Sequence, residues 1–156
     1  MMLKKWVFFS MLLVLGSCGG NDVFYQYETV PANGWHQDTA IHFNVNITDT
    51  LSHYNVYVNV RNRGEYPHQN LWLFIEQQSP DSTLFVDSIN FYLADQRGKW
   101  LGSGVGSVYE MPVLYRQNIQ FPDSGNYSFS FRQGMRDSVL TGLNDLGLRI
   151  EKVSQK

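Results

Sequence analysis

Ile41-His42-Phe43-Asn44-Val45-Asn46-Ile47 alternates apolar and polar residues without a miss. Successive side chains of a strand point to opposite faces, so this heptad predicts a strand with one face buried and one wet. Asp49-Thr50-Leu51-Ser52 then supplies turn chemistry, and Tyr54-Asn55-Val56-Tyr57-Val58-Asn59-Val60 repeats the alternation. Two such runs joined by a polar turn predict an antiparallel pair. Downstream, Leu71 to Glu76 and Thr83 to Leu93 are β-rich, and the first is apolar at every position to Ile75, which predicts cover on both faces. Asp95-Gln96-Arg97-Gly98 reads as a hairpin turn with glycine in the left-handed position. Ser107 to Gln117 contains Pro112 and reads as an irregular edge strand or a short helix, and Gln133 to Asn144 has room for a helical turn. Phe121-Pro122-Asp123-Ser124-Gly125 marks a turn before the strictly alternating Tyr127 to Phe131, and Leu146 to Ile150 closes the series. The expected fold is all-β: a two-sheet antiparallel β-sandwich, jelly-roll or Ig-like, of about seven to eight strands.

Composition agrees. The chain has 156 residues, with 10 Phe, 9 Tyr and 4 Trp bringing aromatics to 15%, while charged residues are only 17%. Rings and β-branched residues suit pleated surfaces. The length fits one domain. Lys+Arg 12 against Asp+Glu 14 gives a net charge of -2, and the basic residues form no cluster beyond Lys4-Lys5, so no surface for neutralising phosphates is available and nucleic acid is not expected as a partner. A single cysteine excludes an internal disulfide framework and any multi-cysteine metal site.

That cysteine has a specific setting. Lys4 and Lys5 precede an apolar stretch from Trp6 to Leu15, too short to span a bilayer, so it reads as a secretory signal. The stretch ends in Leu15-Gly16-Ser17-Cys18, which resembles the bacterial lipobox. The implied chemistry is transfer of a diacylglyceryl group to the Cys18 thiol, cleavage before Cys18, and acylation of the new amine by a chain such as palmitate. The expected organisation is a signal peptide at 1–17, a lipidated N-terminus and tether at 18–30, and the β-sandwich domain at 31–156. Removing 17 residues from 156, Lys4 and Lys5 among them, leaves a chain with ten basic and 14 acidic residues. One acyl chain holds a protein marginally and two hold it stably, so membrane attachment through Cys18 is expected to persist. No Asp follows Cys18 directly, which favours the outer membrane over the inner one.

Catalytic groups are scarce. His36, His42, His53 and His68 lack metal-ligand spacing, and no metal or cofactor is expected; a loop Ca²⁺ site using Asp81 and Asp87 stays open, because oxygen ligands need no linear motif. Gly102-Ser103-Gly104-Val105-Gly106 lacks the following helix that a phosphate cradle requires, so its glycines read as bulges or close backbone passages. No Gly-x-Ser-x-Gly elbow occurs, and the chain reads as non-enzymatic. Trp35, Tyr66, Trp100 and Tyr109 lie beside glycine, proline or turn residues, so they are the candidate contacts for a partner or a glycan.

Several short motifs in order, namely Gly34-Trp35-His36, Asp49-Thr50, Arg61-Asn62, Tyr66-Pro67, Asn70-Leu71 and Trp100-Leu101-Gly102, resemble the GldH family of gliding-motility lipoproteins of the Bacteroidota. Phe121-Pro122, Met135-Arg136 and Gly147-Leu148-Arg149-Ile150-Glu151-Lys152 continue the resemblance to the end of the chain. It implies an accessory cell-envelope lipoprotein associated with gliding and with type IX secretion, acting as a scaffold or assembly partner for envelope proteins. Of the family's functional residues only the lipidated cysteine carries over, onto Cys18. The competing reading is a carbohydrate- or peptidoglycan-binding sandwich, which would need an exposed row of Trp35, Trp100 and Tyr109.

Overall fold

Strict alternation becomes strict burial in the structure. A computed structural model describes residues 20–154; the signal segment and Cys18 lie outside those residues. Ten strands follow one another: β1 (Asp22–Thr29), β2 (Trp35–His36), β3 (Ile41–Ile47), β4 (Tyr54–Arg63), β5 (Asn70–Gln78), β6 (Leu84–Tyr92), β7 (Val108–Ile119), β8 (Gly125–Gln133), β9 (Val139–Leu140) and β10 (Leu143–Lys152). No helix occurs among the described residues. One four-stranded sheet has the order β1-β10-β4-β7, the other β3-β8-β5-β6, and the short β2 and β9 pair with each other. All pairings are antiparallel. The chain is an all-β sandwich.

One core lies between the sheets. Val56, Val58 and Val60 of β4 and Leu146, Leu148 and Ile150 of β10 have no exposed surface, and they meet Phe43, Val45, Leu73, Ile75, Phe129 and Phe131 of the second sheet in a single cluster. The Phe24 ring of β1 meets the edge of Phe43 in β3, with centroids 6.3 Å apart, joining the sheets along one side.

Four expectations are corrected. First, β3 and β4 do not pair: β3 runs beside β8, while β4 runs between β10 and β7. Alternation shows that each strand has one buried face but not who lies beside it, and here the two buried faces meet across the core. The connection at 48–53 is therefore an arch, not a hairpin. Asp49 fixes it: Oδ1 accepts from the backbone N–H groups of Leu51 and Ser52, Oδ2 from Ser52 Oγ and Lys152 Nζ, and its carbonyl from the Tyr54 hydroxyl.

Second, β5 is covered on one face only, since Leu71, Leu73 and Ile75 are buried while Trp72 and Phe74 are 42% and 48% exposed. Among the described residues no third layer covers this antiparallel sheet, so an unbroken apolar run does not signal double burial here. Third, residues 22–29 of the expected tether form β1, paired along its length with β10. Its pattern is not cleanly alternating because an edge strand is half-covered on both faces. Fourth, the 133–144 segment turns through β9 without a helix. Pro112 is tolerated because β7 is an edge strand whose only neighbouring strand is β4; on its other side the ladder is limited to an isolated bridge between Glu110 and Ser103. The Asp95–Gly98 turn forms as expected, with Gly98 at φ 80 and its N–H donating to the Asp95 carbonyl.

Strand directions sort the loops into two groups. The 48–53, 79–83 and 120–124 connections share one end of the sandwich with Asn21 and Lys152, and we call this the lower end. The loops at 64–69, 93–107 and 134–138 occupy the upper end.

Candidate functional site

Since alternation buries Leu71, Leu73 and Ile75, it sends Trp72 and Phe74 to the outer face of the second sheet. What β8 does next shapes a groove around them. Beyond Gln133 the chain continues across the start of β5: Gly134 N–H donates to the Trp72 carbonyl at 2.7 Å, and Trp72 N–H points at Met135 Sδ at 3.3 Å. A Cβ at position 134 would lie 2.9 Å from Trp72 Cδ1 and 3.0 Å from Phe74 Cε2, so only glycine lets both rings settle against the chain. The resulting groove of about 450 Å³ is lined by His68, Asn70, Trp72, Phe74, Gly134, Met135 and Arg136.

Its rim is polar and fixed. His68 Nε2 and Asp137 Oδ2 are 2.5 Å apart, Gln133 Nε2 donates to the Asp137 carbonyl, and Arg132 pairs with Glu76 beside Phe74. Tyr66 forms the wall behind His68, its hydroxyl donating to the Asn70 carbonyl at 2.9 Å. Burial pushes the Tyr66 phenol well above its ordinary range, with the Asp137 charge adding to the effect. On β6, Leu84, Val86 and Tyr92 are 57%, 61% and 64% exposed, and the register places Val86 opposite Glu76 and Leu84 opposite Gln78. The apolar strip thus continues down the outer face of β5 and β6. The other half of that face is polar, formed by exposed His42, Asn44 and Asn46 on β3.

The outer face of the first sheet differs. Glu110 accepts from the Tyr27 hydroxyl at 2.8 Å and from Arg61 Nε at 2.9 Å, and the Arg61 guanidinium lies 3.7 Å above the Tyr27 ring. Burial pushes the Glu110 carboxyl up, but the bonds from Tyr27 and Arg61 and the Arg61 charge overcome it and leave it below the usual range. This face spends its charges on itself.

The four candidate contacts fall into two pairs. Trp35 is 1% exposed, with its indole N–H donating to the Thr39 carbonyl at 2.8 Å, and Tyr66 is 4% exposed; both are core residues, because neighbouring turns fold over them. Trp100 and Tyr109 are half-buried at the upper end, their rings 6.0 Å apart and inclined by 34°, lining a hollow with Gly102, Ser103 and Gly104. With Trp35 inside and the other two inclined, the three rings form no shared exposed plane. The glycine loop is a close passage: a Cβ at Gly104 would lie 1.9 Å from the Val108 carbonyl oxygen, where the chain folds back on β7.

Among the described residues no three His, Cys, Asp or Glu side chains converge as a metal site. Asp81 accepts from Thr83, and Asp87 from Ser88 N–H and the Tyr115 hydroxyl. Cys18 lies outside the described residues. The sequence reading missed Trp72, Phe74, Met135 and Val86; the available signal was Gly134-Met135 directly after a strand that alternates.

The family model described as GldH lipoprotein matches residues 22–150. The chain belongs to the GldH lipoprotein family. Among relatives of this GldH-family chain, a protein of Christiangramia forsetii named gliding motility lipoprotein GldH homolog is 32% identical over 154 residues, covering 94% of each chain. The gliding motility lipoprotein GldH of Flavobacterium johnsoniae is 30% identical, covering 90% of this chain and 91% of its own. Among solved structures, the infectious bursal disease virus VP2 subviral particle has a TM-score of 0.34 at 14% identity, with this chain spanning 31% of that one. That likeness is too loose to bear on function.

Proposed function

We propose that this GldH-family chain is a non-enzymatic lipoprotein of the cell envelope, anchored by acyl chains on Cys18, that holds a protein partner of the gliding or type IX secretion machinery against the outer face of its second sheet. The membership in a lipoprotein family and the Leu15-Gly16-Ser17-Cys18 lipobox support the anchor. The observation that carries the docking role is the pair Trp72 and Phe74, held half-exposed by Gly134 and Met135 inside a polar rim. Large rings presented in a groove, with fixed polar groups around them, are the usual anchors of protein interfaces. Covering the remaining exposed part of each ring contributes about 1–2 kcal/mol. A domain confined to a membrane needs little more, because confinement raises the effective concentration of its neighbours. The outer membrane is the expected site, and Trp100 with Tyr109 forms a secondary contact at the upper end.

In-cell photocrosslinking tests this reading. A photoreactive residue at Phe74 is expected to capture a defined envelope protein, while the same residue at Asn46, on the polar half of the same face, captures none. Equal yields from both positions would remove the assignment, as would unimpaired gliding and secretion after deletion of the chain from a host that performs both.

A further inference from the structure

The strand register fixes the end of the domain at which the chain arrives from the Cys18 side. Asn21 is tied into the lower end: its carbonyl accepts from the Lys152 N–H at 2.8 Å, and its side-chain amide donates to Ser154 Oγ at 2.7 Å. Cys18 is three residues earlier in the sequence. At roughly 3.4 Å per extended residue, the Cα of Cys18 can lie no more than about 10 Å from that point, less than one strand length.

Leu51 stands at the same end. It is 83% exposed, yet its backbone is held from two sides: its N–H donates to Asp49 Oδ1, and its carbonyl accepts from Gln120 Nε2 at 2.9 Å. The arch beneath it is locked by the Lys152 to Asp49 ion pair and by Val153 N–H donating to the His53 carbonyl. A large apolar side chain is therefore presented outward on a rigid loop, with no groove or partner layer among the described residues to receive it.

We propose that the lower end lies on the bilayer, with Leu51 entering the boundary between headgroups and acyl chains. The occupant of this surface is lipid, and the inference rests on the anchoring reading given above. Charge does not draw the end to the membrane: Asp22 and Asp49 face Arg149 and Lys152, while Asp81 and Asp123 add negative charge. Tether length imposes the contact, and the apolar Leu51 makes it favourable, so added salt leaves it unchanged. The upper end then stands about 30 Å from the surface, one β4 length away, and the Trp72–Phe74 groove faces into the compartment.

The test uses the mature lipidated chain reconstituted in phosphatidylethanolamine and phosphatidylglycerol vesicles. Leu51→Cys and Val105→Cys each carry a thiol-linked fluorophore; Val105 is 98% exposed at the upper end, and the natural cysteine is acylated. With lipids spin-labelled near the headgroup, the probe at 51 is expected to lose roughly half or more of its emission and the probe at 105 almost none, at low and high salt alike. A flexible insertion of about ten Gly and Ser residues between Cys18 and Asn21 should relax the difference while flotation with vesicles persists. Equal quenching of the two probes in floating protein overturns the orientation alone. Failure to float, with an unmodified thiol by mass spectrometry, overturns the anchor and the orientation with it.

Discussion

Among the described residues, the Asp49 carboxylate accepts more hydrogen bonds than any other side chain. It closes the arch between the sheets through Leu51, Ser52 and Lys152, and the Lys152 hydrogen bond, then those from Ser52, hold its carboxyl far below the usual range. A group with a depressed folded pKa contributes stability that is fully present above the unfolded value, about 4, and is lost as pH falls through the folded one. Glu110, also lowered in the fold, adds a contribution of the same sign. The contribution of these two carboxylates to the urea midpoint is therefore expected to be level from neutral pH down to about 5 and to fall below about 4. Asp49→Asn should lower the neutral midpoint and flatten that acid limb; an unchanged limb would show that the carboxylate is not what fastens the arch. Asp49-Thr50 was legible as a turn, but its link to Lys152 was not, because 103 residues separate the pair.

Elements differ in how much of themselves the sequence reveals. β3, β4, β8 and β10 show clear alternation because each has one face in a common core and one in solvent or under polar groups. β5 hid its exposed face because Trp72 and Phe74 are apolar on the solvent side, where polar residues are normal; the feature behind the proposed docking role is the same one that disguised it. β1 was hidden for the opposite reason, being too mixed to resemble a strand. Trp35 and Tyr66 were misplaced because their burial depends on turns folding over them, a tertiary fact without a local pattern. The contrast between faces is testable. Leu148→Ala, in a residue with no exposed surface, should cost about 2–5 kcal/mol by urea unfolding. Val86→Asp, on the exposed strip of β6, should change stability by no more than about 0.5 kcal/mol while abolishing the Phe74 crosslink. A large loss of stability at Val86 would mean that the strip is structural and not a contact surface.

For the molecule as a whole, what matters is which strands are early and which are late. The first sheet has the order β1-β10-β4-β7, so its second position is filled by the last strand of the described residues. Val56, Val58 and Val60 lie opposite Ile150, Leu148 and Leu146, and β1 has no other neighbour in the sheet. Ending the chain after Thr141 is expected to abolish cooperative unfolding and amide protection in the second sheet too, since the two sheets share one core. Retained protection in β3 and β8 would show that the second sheet is an independent unit. Nearly all pairings join distant parts of the chain, so folding should be slow, in milliseconds to seconds.

That late closing strand has a consequence for the chain while it is still incomplete. Until residues 143–152 have been made, β1 has no strand beside it and β4 only β7, so a shorter chain is expected to stay open enough to thread a narrow pore.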